Sequence, residues 1–218
     1  VRAIADRHTG VGFDQLLAVT EPTRPGSAAG YRIWNSDGSA AQQCGNGARC
    51  VAAWLVREGG AKPPRFTLDS PAGPIEVECL PEGRYALDMG RPDFLPAHIP
   101  LRAAEERLKY DWREREATLR FGAASMGNPH ALVEVDDVAR APVAAQAAML
   151  QNSGLFPQGV NVGFAQLLSR GAIRLRVVER GVGETLACGS GACAAVAILA
   201  RQGKVDRRVD VKLPGGTL

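Results

Sequence analysis

The sequence predicts an α+β fold of two similar halves, each a curved, mostly antiparallel sheet around one central helix. Three observations predict it. The turn CGNGARC at Cys44 returns as CGSGACA at Cys188. The fourteen residues ending at each cysteine, YRIWNSDGSAAQQC and LRVVERGVGETLAC, pair without a gap at an offset of 144. Upstream, VGFDQLL (Val11 to Leu17) is echoed by VGFAQLL (Val162 to Leu168) at an offset of 151. Self-similarity repeated in the same order marks a duplicated domain.

The elements follow from local chemistry. Tyr31 to Trp34 and Leu175 to Val178 are β-rich and lead into Gly-containing loops, so each reads as a strand. After each cysteine, Ala48 to Arg57 and Ala192 to Arg201 are rich in Ala, Leu and Val, and Gly59 and Gly203 stand as stop signals. Both helices read as apolar nearly all round, which predicts burial on most faces. Further strands are expected at Arg65 to Leu68, Ile75 to Leu80, Arg84 to Asp88, Thr118 to Phe121, Ala131 to Val135 and Val209 to Leu213. Asp93 to Arg115, with three prolines and then a charged run, reads as the inter-domain connection. The expected domains are therefore 1–115 and 116–218, each carrying one cysteine turn.

Composition narrows the function. At 218 residues, 45% hydrophobic and 22% charged, the chain resembles ordinary globular proteins. Its net charge of +3 is scattered, with no basic block to suggest nucleic acid or an anionic membrane. The longest apolar run, Ala192 to Ala200, is far short of the ~20 residues a membrane span needs. Five cysteines is an odd number for a disulfide framework, and no secretory pattern opens the chain, so a reducing, cytoplasmic setting is expected. The chain opens on Val1 and closes just after a PGG turn, so one or both natural ends are expected to lie beyond it.

A cysteine at a helix start meets unpaired amides and the positive end of the helix dipole, which favour thiolate. Gly45, Gly47, Gly189 and Gly191 leave bare amides that an anionic ligand can approach. A carboxylate held there would have its enediolate charge stabilised as the α-proton leaves. Two such starts could serve one carbon from opposite faces, one thiolate taking the proton and the other thiol returning one. One such cysteine alone is more often structural, but drift would normally erase one of a matched pair. Cys50, Cys193 and Cys79 read as small buried residues. No CxxC or His/Cys spacing suits a metal, and no cofactor is expected. Asn35 and Glu179 occupy equivalent repeat positions, Arg180 could fork onto a carboxylate, and GNPH joins Asn128 to His130. Asn161 precedes the second GF. His8 and His98 read as structural or surface.

With those residues in view, the sequence resembles the diaminopimelate epimerases, a pyridoxal-independent amino-acid epimerase family. The carrying segments are DRHTGVGFDQ (Asp6 to Gln15), NSDGS (Asn35 to Ser39), QCGNGARC (Gln43 to Cys50), GNPH (Gly127 to His130), NVGF (Asn161 to Phe164), ERGVGET (Glu179 to Thr185) and ACGSGAC (Ala187 to Cys193). The resemblance implies interconversion of LL- and meso-diaminopimelate in lysine and peptidoglycan precursor synthesis, with the active site in a cleft between the halves, and a homodimer. It implies Cys44 and Cys188 as the acid–base pair, supported by His130 and Glu179. It places the substrate carboxylate on the amides of Gly45, Asn46, Gly189 and Ser190, with further contacts from Gln15, Asn35, Asn128, Asn161, Glu179 and Arg180. The family's opening strand with its HGxGNDF-like turn, and its final strands, have no counterpart in this chain. Rival readings are a proline- or hydroxyproline-type racemase, which also uses two cysteines, and a thiol redox sensor with one low-pKa cysteine and a resolving partner. A Cys–His130 hydrolase leaves the second turn unexplained.

Overall fold

A computed structural model describes residues 1–41, 44–114 and 117–218. Gln43 of the first cysteine motif, and the expected domain junction between Arg115 and Glu116, lie outside them. The chain divides into two compact units, Val1–Gly90 and Arg91–Leu218.

The first unit runs α1 (Arg2–Ala5), β1 (Gln15–Thr20), β2 (Ser27–Asn35), β3 (Ala40–Ala41), α2 (Gly45–Arg57), β4 (Arg65–Ser70), β5 (Gly73–Cys79) and β6 (Tyr85–Leu87). Its sheet has the order β1-β2-β4-β5-β6, with β3 on β2. Among the described residues of this unit only β2 and β4 pair in parallel, and the segment joining them carries β3 and α2. Alternate residues Ala29, Tyr31 and Ile33 of β2, with Leu68, Ile75 and Val77, form a core with Ala48, Val51, Ala52 and Leu55 of α2. Those helix positions are spaced as one apolar stripe. The opposite side is not covered: Trp54 is 44% exposed and Cys50 is also exposed. Burial on most faces, expected for both helices, therefore fails for α2, because one sheet covers one face. Buried Asp69 closes the unit's first turn by accepting from the Thr23 amide and hydroxyl, the Arg24 amide and the Ser27 hydroxyl at 2.7–2.9 Å. Burial pushes its carboxyl pKa up, but those donors outweigh it and hold the group well below the carboxylate range.

The second unit runs β7 (Tyr110–Glu114), β8 (Ala117–Ser125), β9 (Pro129–Glu134), α3 (Val143–Asn152), β10 (Asn161–Ser169), β11 (Ala172–Glu179), β12 (Gly183–Thr185), α4 (Gly189–Arg201), β13 (Asp210–Leu213) and β14 (Gly216–Thr217). The sheet order is β14-β13-β11-β10-β9-β8-β7, with β12 on β11. Here both faces are covered. Leu132, Ala165, Ile173, Leu175 and Val177 pack under α4. Phe121, Val133, Val162 and Phe164 pack on the other face with Val143, Ala147 and Leu150 of α3. Neither α3 nor β7 is anticipated by the sequence reading. β7 pairs antiparallel with β8, which is why the stretch read as a connection belongs to the second unit and the division falls after Gly90.

The duplication is visible as topology. In the first unit β2 pairs antiparallel with β1 and β3 and parallel with β4. In the second, β11 pairs antiparallel with β10 and β12 and parallel with β13. α2 and α4 occupy the same place in each order. One part of the sequence repeat does not survive. Gln15 stands opposite Asn35, whereas Val162 stands opposite Val178, one step before Glu179. The residue equivalent to Gln15 is thus Asn161, at an offset of 146, and the VGFDQLL/VGFAQLL echo is five residues out of register. Val11 to Asp14 lie before their strand, while Val162 to Gln166 lie within theirs.

Candidate active site

Each leading cysteine caps its helix. Cys44 has extended backbone (φ −148, ψ 102), and its sulfur accepts from the Gly47 amide at 3.2 Å. Cys188 (φ −130, ψ 108) does the same with Gly191 at 3.4 Å. A sulfur in the N-cap position therefore replaces the usual side-chain oxygen. Gly47 leaves room for Leu17: a Cβ there would lie 2.5 Å from Leu17 Cδ2, so that side chain would have to move. The first-turn amides, which a helix cannot itself satisfy, include those of Gly45 and Asn46 in one unit and Gly189 and Ser190 in the other.

In the first unit, the β1–β2 register brings Gln15 and Asn35 together. Gln15 Nε2 donates to Asn35 Oδ1 at 3.0 Å, and Asn35 Nδ2 donates to Ser39 Oγ at 3.0 Å. The Asn46 amide oxygen accepts from Arg49. Tyr31 is buried in the core that Cys44 packs against. Burial pushes its phenol pKa up to about 12, with the charge of Cys44 a further cause.

In the second unit, more of the expected residues meet. His130 Nε2 lies 2.9 Å from Asn128 Oδ1 and 3.1 Å from Ser190 Oγ, and Ser190 Oγ lies 3.6 Å from Cys188 Sγ. With the Asn128 amide oriented as assigned, its oxygen can only accept, so Nε2 carries the imidazole proton. The Ser190 hydroxyl then keeps its own hydrogen for the sulfur. Asn161 Oδ1 accepts from the Arg180 amide at 2.9 Å, and the Arg180 side chain donates to the Gln158 carbonyl. Thr185 Oγ1 donates to Glu179 Oε1 at 2.6 Å. Among the described residues, no group of three or more His, Cys, Asp and Glu side chains is placed to hold a metal.

Electrostatics correct one expectation. Cys188 is only 6% exposed, and burial followed by the Glu179 carboxylate pushes its pKa up to about 12. The Ser190 hydroxyl and Gly191 amide pull the other way and lose. In the ligand-free chain Cys188 is therefore a thiol, because desolvation exceeds what one helix start returns. His130 is 2% exposed, and burial, then the Arg180 charge, lowers its pKa to about 3. It stays neutral across the working range, and its link to Cys188 runs through the Ser190 hydroxyl by hydrogen bonds.

The depressed His130 pKa has a stability consequence. The unfolded chain takes up a proton near its ordinary value of 6.5, while the folded chain waits until about 3, so acid favours unfolding throughout that window. The unfolding free energy of the wild-type protein should fall by up to ~1.4 kcal/mol per pH unit more steeply than that of His130→Gln between about pH 6 and 4. Urea titrations at each pH read this directly, and parallel curves would refute it.

Two partners were missed at the level of single residues. Thr185 and Ser39 both sit inside quoted motifs, but strand pairing alone reveals that they hold Glu179 and Asn35. The only available signal was the hydroxyl at the far end of each short hairpin.

Comparison with known proteins follows the same lines. The family model described as diaminopimelate epimerase matches residues 1–95 and 122–218. The diaminopimelate epimerase of Xanthomonas axonopodis pv. citri (strain 306) is 59% identical over 216 residues, covering 99% of this chain and 76% of that relative. That of Xylella fastidiosa (strain M12) is 54% identical with the same coverage. Among solved structures, a hydroxyproline epimerase from Agrobacterium vitis with bound trans-4-hydroxy-L-proline superposes with a TM-score of 0.73 at 18% identity, covering 99% of this chain and 69% of that one. A probable proline racemase from Agrobacterium radiobacter K84 gives 0.71 at 18% identity, covering 99% and 74%. At such identity these two speak to the fold alone.

Proposed function

Because the chain belongs to the diaminopimelate epimerase family, we propose that Cys44 and Cys188 are the two acid–base groups of its reaction. It is a cofactor-independent isomerase acting on diaminopimelate, a step of lysine biosynthesis. The observation that carries the assignment of the pair is the repetition of one device: a thiol that caps a helix through its own sulfur, beside bare glycine amides, at equivalent places in both units.

The chemistry requires removal of a weakly acidic α-proton and return of a proton to the opposite face. One thiol group must be ionised and the other protonated at the start of each turnover. Cys188, held as a thiol by burial and by Glu179, is the donor in one direction, with Cys44 as base. In the reverse direction the roles exchange. The carboxylate on the reacting carbon is assigned to the first-turn amides of Gly45, Asn46, Gly189 and Ser190, whose dipoles stabilise the enediolate charge as it develops. Gln15, Asn35, Asn128, Asn161, Glu179 and Arg180 are assigned to the remaining polar groups of the substrate. Amides and a guanidinium suit a second, distal amino-acid group better than a ring nitrogen. Neutral His130 supports the site through Ser190. The working form is a cytoplasmic homodimer. No helix among the described residues is long and apolar enough to cross a membrane.

Proton NMR of LL-diaminopimelate with reduced protein in D2O tests the reading. The α-proton signal should decline as the meso isomer appears. Early in the reaction, deuterium should sit in the product and not in recovered substrate, since the proton returned comes from a different thiol than the one that accepted. Deuterium entering the substrate without inversion would point to a single base. Absence of exchange, with exchange from a proline-type substrate, would move the assignment to the racemases.

A further inference from the structure

We propose that Thr185 is a positioning residue for this reaction: its hydroxyl fixes the Glu179 carboxylate beside Cys188, and through that carboxylate sets how readily the thiol gives and takes its proton. The inference rests on the reading of Cys188 as an acid–base group.

The geometry is that of a short, braced hairpin. Glu179 ends β11, and the chain turns through Gly181 (φ 75) and returns as β12, so that Glu179 faces Gly183, Val178 faces Glu184 and Val177 faces Thr185. An ionised carboxylate can only accept, so the Thr185 hydroxyl donates to Glu179 Oε1, and the 2.6 Å separation is that of a charge-assisted O–H···O contact. The brace is independent of the site. Arg176 grips Glu184 with two hydrogen bonds, of 2.6 and 2.8 Å, and donates to the Val138 carbonyl at 2.9 Å, fixing β12 on β11. Three residues beyond Thr185 comes Cys188.

The repeat shows that this device belongs to one thiol only. At the offset of 144, Glu179 corresponds to Asn35 and Thr185 to Ala41, which has no hydroxyl. Asn35 is instead held by Gln15 and Ser39. The second thiol thus has a negative neighbour locked in place, whereas the position equivalent to Glu179 in the first unit carries a neutral amide. An anion beside a thiol disfavours loss of its proton and strengthens the thiolate as a base. The groups acting on Cys188 are Glu179 from β11, the hydroxyl and amide of α4's first turn, and through Ser190 the neutral His130 of β9, itself under the Arg180 charge. Of these, Glu179 is the negative charge, and the Thr185 hydroxyl braces it.

The test uses Thr185→Val, which keeps the β-branched shape, and Thr185→Ser, which keeps the hydroxyl. The first readout is the alkylation rate of each cysteine at pH 8.5, resolved by peptide mass spectrometry. The second is kcat and KM for epimerisation across pH. In Thr185→Val, Cys188 should react about fivefold faster or more, while Cys50 and Cys79 are unchanged, and kcat should fall roughly tenfold, the size of one charge-assisted hydrogen bond, with KM little altered. Thr185→Ser should restore both. In a Glu179→Gln background, Thr185→Val should no longer change Cys188 labelling. Unchanged Cys188 labelling, the same change with and without Glu179, or faster labelling of all cysteines together would each overturn the proposal. If Cys188→Ala kept full activity, the acid–base reading itself would fall, while the labelling comparison would still judge the Thr185–Glu179–Cys188 link.

Discussion

Replacing either Cys44 or Cys188 with alanine is expected to lower kcat for epimerisation about 10³-fold or more in both directions, the scale of a lost general acid or base. The loss should be similar for the two, because inversion needs one proton removed and another delivered, and neither thiol can do both at one carbon without turning the substrate over. Folding should survive. Each replacement removes a capping sulfur, worth about 1 kcal/mol, and Cys188→Ala also removes one buried atom from the core under α4. Circular dichroism and thermal unfolding of both variants establish the fold, and the deuterium assay reads the chemistry. A single alanine variant that retained more than a tenth of wild-type kcat would exclude its cysteine from the acid–base pair.

Gly122→Val should be strongly damaging to the second unit. A Cβ built on Gly122 of β8 lies 2.3 Å from Ile198 Cγ2 on α4 and 3.2 Å from Gln202 Nε2. The Gln202 amide could swing away, but Ile198 is 3% exposed and packed between the sheet and its own helix, so the helix must lift. Overpacking of this kind costs about 3 kcal/mol, which for a chain of this size is a fall in Tm of roughly 6–12 °C. Activity should fall with it, since α4 carries the Cys188 turn at its start. Adding Ile198→Ala removes the opposing methyl and should recover part of both. If Gly122→Val unfolds at the wild-type temperature, or if Ile198→Ala makes it worse, this account of the contact is wrong.

Much of this was legible in the chain. The pairing of YRIWNSDGSAAQQC with LRVVERGVGETLAC marked two strand–hairpin–helix units, and the structure builds them with the same strand pairing in each. The cysteines were legible as helix starts because Gly-x-Gly-Ala ahead of an apolar run leaves little else for them to be. Tyr110–Glu114 and Val143–Asn152 were not. The first is short and follows a proline-rich stretch, and it is a strand only because β8 offers it an edge. The second is alanine-rich without caps of its own, and it is held by the face of the sheet opposite α4.

The VGF echo misled because local identity carries no register. Strand register is set by which side chains must face the core, and that placed Asn161, five residues away from the apparent match, opposite the end of β11. By itself the sequence determined the duplication, the two thiol turns and the identities of the candidate polar residues. Only the tertiary structure decided the state of those groups. Proximity to a helix start argues for a thiolate, yet Cys188 stays protonated because burial and Glu179 together outweigh two hydrogen-bond donors. Burial is the sum of every neighbour that excludes water, and no spacing along a chain can report it.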